Sequence, residues 1–157
     1  MSRRRPGPPA AIQPTSRDPQ ATGNISPDFL EGLAYTTWRM PWEVELTDQA
    51  AAWLESLDED DHDAMAGVID LLEQDGPTLG RPAVDHIEGS RHHNMKELRS
   101  SGQHLRALFC FDPRRTAIIL LGGDKAGDWI GWYERNIPIA DDLYGRYLDE
   151  LREEGLI

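Results

Sequence analysis

Basic side chains, the residues best suited to bind phosphate, are concentrated in one segment of the chain. Nine of the eleven lysines and arginines beyond residue 41 lie between Arg81 and Arg135. The segment 42–80 holds twelve acidic residues and no lysine or arginine, and the whole chain carries a formal net charge of −12. Lys and Arg contacts dominate binding to phosphate, so a polyanion would bind within the basic segment if it binds at all. We interpret the acidic segment mainly as a solvated helical face.

Three cations of the basic segment stand on or directly after predicted strands. Arg99 and Arg106 lie on neighbouring strands, and Lys125 follows a third strand beside two glycines. The three could converge on one phosphate, because a guanidinium offers a planar fork to two oxygens. The alternative is that the two arginines form ordinary surface ion pairs with Glu97 and Asp112.

Histidine is the strongest intrinsic acid–base candidate, because it titrates near neutral pH. His92 stands in the run Arg91-His92-His93, just before the strand that carries Arg99. Two adjacent histidines could also bind a metal ion, but no third ligand follows at a recognisable spacing. We therefore predict neither a metal site nor a cofactor.

Local patterns predict the elements that position these residues. Trp42, Val44 and Leu46 alternate with acids, which indicates an opening strand. Thr47 or Asp48 can cap a first helix, and a second helix with the same apolar spacing ends at Gly76-Pro77. The region 77–94 is expected to be an irregular connection. Three strands are predicted to follow, at 95–99, 104–111 and 116–121, the last ending at Gly122-Gly123. A terminal helix is predicted from Pro138, with Ile139, Leu143, Tyr147 and Leu151 along one stripe.

This order predicts an α+β domain over residues 40–157, with an opening strand, a helical hairpin, a three-stranded antiparallel remainder of the sheet and a C-terminal helix. We expect the helices to cover one face of the sheet and to leave the other face open. Residues 1–39 are rich in proline and poor in aliphatic residues, which favours a disordered leader. A proline-rich stretch follows Arg3, Arg4 and Arg5 where a signal peptide would need an apolar segment, so we expect a cytoplasmic protein without a membrane anchor.

Four runs of the sequence carry a family pattern: Leu98–Gly102, Leu105–Phe109, Leu120–Lys125 and Trp132–Arg135. Together they resemble the RelE/ParE superfamily of type II toxins, and most closely its HigB-like, phage Gp49-related branch. The resemblance covers about residues 42–155, and the combined run is more specific than any single motif.

The resemblance implies a metal-free endoribonuclease that cleaves mRNA on the ribosome and so inhibits translation. It also implies a helix-turn-helix antitoxin, encoded by an adjacent gene, whose complex with the toxin binds operator DNA. Two alternatives stay open: a non-enzymatic, ParE-like inhibitor of DNA gyrase, and a catalytically decayed module that still binds its antitoxin.

Under the resemblance, two sets of residues form the expected site. The catalytic set is Arg99, Arg106, Lys125, Tyr133 and His92. The substrate-binding set is Arg91, Trp132, Arg135 and Lys96. Tyr133 matches a family position associated with stacking on a base or with proton transfer, whereas we expect Trp129 to serve packing. Glu134 and Arg135 are a candidate base and phosphate contact, or simply partners of each other. RelE-type relatives carry lysines where Met95 and Glu97 stand, so this site is expected to hold fewer cations.

Overall fold

A five-stranded mixed sheet organises the computed structural model, which describes residues 40–102 and 104–157. The strands are β1 Val44–Leu46, β2 Val84–His86, β3 Lys96–Arg99, β4 Leu105–Phe111 and β5 Ala117–Asp124. Their order across the sheet is β1-β5-β4-β3-β2. Strand β1 pairs parallel to β5, and the other neighbours pair antiparallel. The predicted α+β class is confirmed, with β2 as a further strand inside the region expected to be irregular. The predicted leader, residues 1–39, lies outside the described residues.

Two capped helices form the predicted hairpin. They are α1 Asp48–Ser56 and α2 Glu59–Asp75, followed by a short 3₁₀ turn at Gly76–Thr78. The Thr47 hydroxyl accepts a hydrogen bond from the Ala50 amide at 3.0 Å, and the Asp58 carboxylate accepts one from the Asp61 amide at 2.8 Å. Each cap satisfies an amide that the first helical turn leaves without a partner. The N-terminal ends of both helices are therefore fixed by their local sequence.

The hairpin covers one face of the sheet. Its buried residues pack against the side chains of β2, β3, β4 and β5 that point to this face, among them Leu98, Ala107, Phe109 and Ile119. Alternate residues of a strand point to opposite faces, so Glu97, Arg99 and Arg106 belong to the other side.

A long C-terminal helix, α3 Trp129–Glu153, covers that other side. The expectation of an open sheet face was therefore wrong. Ile137, Ala140 and Tyr144 of α3 pack against Leu108 and Ile118 of the sheet in a second buried cluster. The strands carry apolar residues on both faces. Helix α3 covers the second face because this buries those residues away from water.

The start predicted for α3 at Pro138 was also wrong. The helix begins at Trp129, where the Asp128 carboxylate accepts a hydrogen bond from the Gly131 amide at 3.2 Å. Pro138 lies within the helix at an exposed position. The buried face of α3 therefore differs from the predicted stripe: Ile137 and Ala140 are buried, whereas Ile139 is exposed.

Strand β5 continues through the two glycines that were expected to end it. A Cβ on Gly122 would lie 2.4 Å from Trp53 Cε3, and one on Gly123 would lie 2.5 Å from Trp132 Nε1. The two indole rings thus pack directly on the strand backbone, one on each face of the sheet. Glycine is required here for close approach, not for a turn.

Among the described residues, none of the helices combines the length and apolar character needed to cross a bilayer.

Candidate functional site

Five ionisable side chains meet where the first turns of α3 cross the sheet. Glu97 and Arg99 come from β3, Arg106 from β4, Lys125 from the residue after β5, and Tyr133 from α3. Four of them, Arg99, Arg106, Lys125 and Tyr133, were predicted catalytic residues. We call these five residues the charged cluster.

Glu97 is the centre of the charged cluster. Its Oε1 accepts a hydrogen bond from the Tyr133 hydroxyl at 2.5 Å and lies 3.4 Å from Arg106 Nε. Its Oε2 accepts hydrogen bonds from Arg99 Nε at 3.0 Å and from Arg99 Nη2 at 2.8 Å. One carboxylate oxygen therefore accepts two hydrogen bonds from the Arg99 guanidinium, and the other accepts one from the Tyr133 phenol. The ion pair of Glu97 with Arg99 is the alternative that the sequence offered, but the central position of Glu97 among these side chains was not predicted.

The charged cluster is layered from a buried interior to a partly exposed rim. The side chains of Glu97 and Arg106 are each 4% exposed, whereas that of Arg99 is 22% exposed. Lys125 and Tyr133 are half-buried. An incoming phosphate would meet Arg99 and Lys125 first, because Arg106 lies behind them.

Asp85 fixes Arg99 from the edge strand β2. Its Oδ2 accepts a hydrogen bond from Arg99 Nη2 at 3.0 Å and also lies 3.2 Å from Arg81 Nε. A hydrogen bond from the His86 amide lowers the pKa of Asp85, and Arg81 and Arg99 lower it further against the opposing effect of burial. This carboxylate stays ionised and keeps the guanidinium of Arg99 in place.

The local charges alter the proton affinities at the rim. Burial lowers the pKa of Lys125, and the nearby charges of Arg106 and Arg99 lower it further, with Glu97 opposing them. Burial and the hydrogen bond to Glu97 raise the pKa of Tyr133. Tyr133 is therefore a neutral hydrogen-bond donor near neutral pH, and Lys125 is a stronger acid than an ordinary lysine.

Aromatic rings surround the ammonium group of Lys125. Its Nζ lies 5.3 Å from the ring centroid of Trp129 and 5.8 Å from that of Tyr133, within the range of cation–π attraction. The Lys125 amide donates a hydrogen bond to the His104 carbonyl at 3.0 Å, which fixes the backbone at this point. Trp129, expected to serve packing, has 56% of its surface exposed.

Two of the predicted site residues lie in a different place. Arg91 Nη2 pairs with Asp142 at 3.1 Å, and the ring of His92 contacts the Asp141 carbonyl at 3.3 Å and packs edge-on against Tyr144. Asp141 follows Tyr133 by eight residues of α3, which corresponds to about 12 Å along the helix. His92 and Arg91 therefore stand outside the charged cluster and hold the loop before β3 against α3.

The remaining predicted substrate-binding residues are also separate from the cluster. Lys96 alternates with Glu97 on β3 and lies over the ring of Phe111, on the face covered by the hairpin. Trp132 is buried in the second core and packs on Gly123, so its ring supports the site from within. Arg135 pairs with Asp128 at 3.2 Å on the exposed start of α3.

Within the described part of the chain, no three His, Cys, Asp or Glu side chains are grouped so that they could hold a metal ion. What the charged cluster offers is three cations to stabilise negative charge, one carboxylate to accept a proton and one phenol to orient it.

Comparison with known proteins assigns the family. Residues 52–145 match the model of the family described as phage-derived protein Gp49-like. HigB3 of Mycobacterium tuberculosis, named as a toxin, is 57% identical over 105 residues, which cover 67% of this chain and 92% of HigB3. This chain belongs to the Gp49-like family of HigB toxins. HigB2 of the same organism, likewise named as a toxin, is 42% identical over 130 residues, covering 81% of this chain and 64% of HigB2.

Solved structures of toxin–antitoxin complexes also align with this HigB-family chain. A chain of RelBE2 from Mycobacterium tuberculosis aligns at 18% identity over 55% of this chain and 94% of that chain, with a TM-score of 0.44. A chain of the archaeal RelE–RelB complex from Pyrococcus horikoshii aligns at 18% identity over 56% of this chain and 99% of that chain, also with a TM-score of 0.44. The family assignment rests on the sequence matches alone. By its sequence matches, the chain is a HigB-like toxin of the Gp49-like family.

Proposed function

We propose that this toxin is an endoribonuclease that cleaves mRNA on the ribosome and thereby inhibits translation. The observation that supports this proposal is the convergence of three cations on one carboxylate and one phenol where the first turns of α3 cross the sheet. Cleavage of RNA through its own 2′-hydroxyl requires only proton transfer and stabilisation of charge on phosphate oxygens. The charged cluster contains groups for each of these tasks, so the proposed chemistry needs no metal.

The proposed step is an in-line transfer within the RNA. The 2′-oxygen attacks the adjacent phosphorus and gives its proton to the Glu97 carboxylate, while the bond from phosphorus to the 5′-oxygen breaks. Lys125 gives a proton to the leaving 5′-oxygen, a role favoured by its lowered pKa. Arg99, with Arg106 behind it, stabilises the charge that builds on the phosphate oxygens. The products are a 2′,3′-cyclic phosphate and a free 5′-hydroxyl.

Glu97 is not open to substrate in the free chain. The Tyr133 hydroxyl occupies its Oε1 and the Arg99 guanidinium its Oε2. In the proposed mechanism the RNA displaces the Tyr133 hydroxyl, which frees one carboxylate oxygen for the 2′-hydroxyl. Tyr133 is then available to contact the RNA.

The burial of Arg106 and Glu97 favours a second candidate, a module that binds its antitoxin without cleaving RNA. Charges that neutralise each other inside a fold are also typical of structural ion pairs. Normal growth under strong expression would select this candidate over the ribonuclease.

Expression in a host cell, with transcript 5′ ends mapped, tests the proposal. We expect growth arrest and new transcript ends from the unaltered chain, and loss of both from Lys125→Ala. Arg146→Ala is the matched control, because this exposed residue lies toward the other end of α3. Transcript cleavage that persists unchanged in Lys125→Ala and Glu97→Gln would contradict the assignment. Signalling of DNA damage without transcript loss would indicate gyrase inhibition instead.

We further propose a helix-turn-helix antitoxin as the partner, with operator DNA bound only through the complex. Its acidic or apolar residues are expected to cover the exposed rim at Arg99 and Lys125. Lys125→Glu should therefore weaken the complex, whereas Arg146→Glu should not. Equal affinity of the two variants, measured by titration of labelled antitoxin, would argue against this position.

A further inference from the structure

An apolar groove lies directly beside the charged cluster and has no role in the chemistry above. Its volume is about 380 Å³, within the range of small-molecule sites. The residues that matter here are Trp129, Ile130, Tyr133 and Ile137 along its floor and walls, with Glu88 and Glu134 also in the lining.

Two large apolar side chains are left in solvent at this groove. Trp129 is 56% exposed and Ile130 is 57% exposed, although both stand in the first turn of a helix that buries many other apolar residues. A contiguous apolar surface of this kind usually marks a binding site. The Trp129 and Tyr133 rings are one helical turn apart and meet edge-on, with their centroids 6.5 Å apart. The face of the indole is thereby oriented by a residue of the charged cluster.

The groove and the charged cluster share Tyr133 and are joined by Lys125. The Lys125 ammonium lies between the rings, 5.3 Å from the Trp129 centroid and 5.8 Å from the Tyr133 centroid. A phosphate held by Lys125 therefore has the indole within reach of the nucleotide attached to it. Bases stack on aromatic side chains in single-stranded RNA recognition, and each stacked base contributes roughly 1–3 kcal/mol.

The charges in the lining identify which part of the RNA fits. Glu88 and Glu134 are exposed carboxylates that repel a phosphate but accept hydrogen bonds from amino groups. Adenine and cytosine present an exocyclic amino group, whereas uracil presents carbonyl oxygens at its edge. The groove is thus complementary to a base and not to the sugar–phosphate chain.

We propose that this groove binds the nucleobase next to the scissile phosphate, with Trp129 stacking on it and Glu88 and Glu134 favouring bases that carry an amino group. This inference rests on the proposed ribonuclease function and assigns the groove as its specificity site. The apolar side chain of a protein partner is the competing occupant.

The test uses the purified full chain and a short fluorescent RNA that carries 2′-deoxyribose at the central nucleotide, so that it binds without being cut there. Trp129→Ala should weaken binding about tenfold, within the range that loss of one stacked base allows, and Trp129→Phe should restore most of it. Ile139→Ala is the control, because Ile139 is 42% exposed on the same helix outside the groove. Replacing the central adenine or cytosine by uracil should weaken binding severalfold, and Glu88→Gln with Glu134→Gln should remove that preference.

Three results would overturn the inference. The first is equal RNA affinity of Trp129→Ala and Ile139→Ala, and the second is no measurable binding of the RNA by the unaltered chain. The third is RNA affinity that is unchanged in Trp129→Ala while the antitoxin complex weakens, which would assign the groove to the protein partner. The proposed function is judged separately by the transcript map. Cleavage in cells with Trp129-independent binding refutes only the groove, and Trp129-dependent binding without cleavage refutes only the ribonuclease.

Discussion

Replacement of Glu97 by leucine is the sharpest perturbation of the charged cluster. The side chains of Glu97 and Arg106 are each 4% exposed, so solvent cannot take over the charge that Glu97→Leu leaves on Arg106. Removing one partner of a buried pair costs about 3–5 kcal/mol. The loss of the contact between Glu97 and Arg99 adds less to this cost, because Arg99 keeps its ion pair with Asp85 and its side chain is 22% exposed. A folded unit of this size loses about 4 °C of melting temperature per kcal/mol, so we expect a fall of roughly 12–20 °C.

The double variant Glu97→Leu with Arg106→Met separates charge from packing. Apolar residues of similar volume often replace a buried ion pair without loss of stability. We therefore expect the double variant to recover most of the melting temperature and to lose all RNA cleavage. Asp142→Leu is the control, because it removes an exposed pair with Arg91 that contributes at most about 1 kcal/mol.

Thermal and urea unfolding monitored by circular dichroism measure these differences. A loss below about 1 kcal/mol in Glu97→Leu would refute the view that this pair is buried and coupled. A double variant as unstable as the single one would show that shape, not charge, dominates the position. If the double variant regains stability but does not cleave RNA, the charges of Glu97 and Arg106 serve the chemistry and are not needed for the stability of the fold.

Three further predictions concern the cores. Gly123→Ala should destabilise the fold by about 1–3 kcal/mol in urea unfolding, because its Cβ would meet the buried Trp132 ring. Gly67→Ala is the control: its Cβ would enter open space on α2, so this change should stabilise the fold by roughly 0.5–1 kcal/mol. Burial raises the pKa of Cys110 to about 12, so native protein should resist alkylation at pH 8 and react only when unfolded; rapid native labelling would contradict this. Burial likewise raises the pKa of Tyr144 from 10.0 to about 12. The folded chain then holds these protons more tightly than the unfolded chain, so stability is complete below pH 9 and should fall between about pH 9 and 12; a flat profile there would contradict it.

Local signals explain which elements were predictable. Thr47 caps α1 through its side-chain oxygen, and it was one of the two residues predicted for this position. Asp58 caps α2 in the same local way, but this cap was not predicted. The start of α3 has an equally local signal in its N-cap Asp128, whereas the predicted start was Pro138. Proline favours the first turn only statistically. Strand β2 has three residues, and it forms through pairing with β3, which a short polar sequence does not reveal.

The sequence predicted most residues of the charged cluster but not how they contact one another. The resemblance brought Arg99, Arg106, Lys125 and Tyr133 together, and the structure gathers these four. The role of Glu97 depends on partners from β3, β4 and α3, so no sequence spacing indicates it. The helical cover of the second face was missed for the same reason, because it depends on which stripe of α3 meets the sheet.

Helix α3 links the second apolar cluster of the fold to the charged cluster. One rigid rod seals the apolar cluster through Ile137 and Tyr144 and delivers Tyr133 to Glu97. A molecule that bound the outer side of α3 and displaced its first turns would break the contact between Tyr133 and Glu97 while Arg99 and Lys125 stayed uncovered. Such binding would rearrange the charged cluster without covering it.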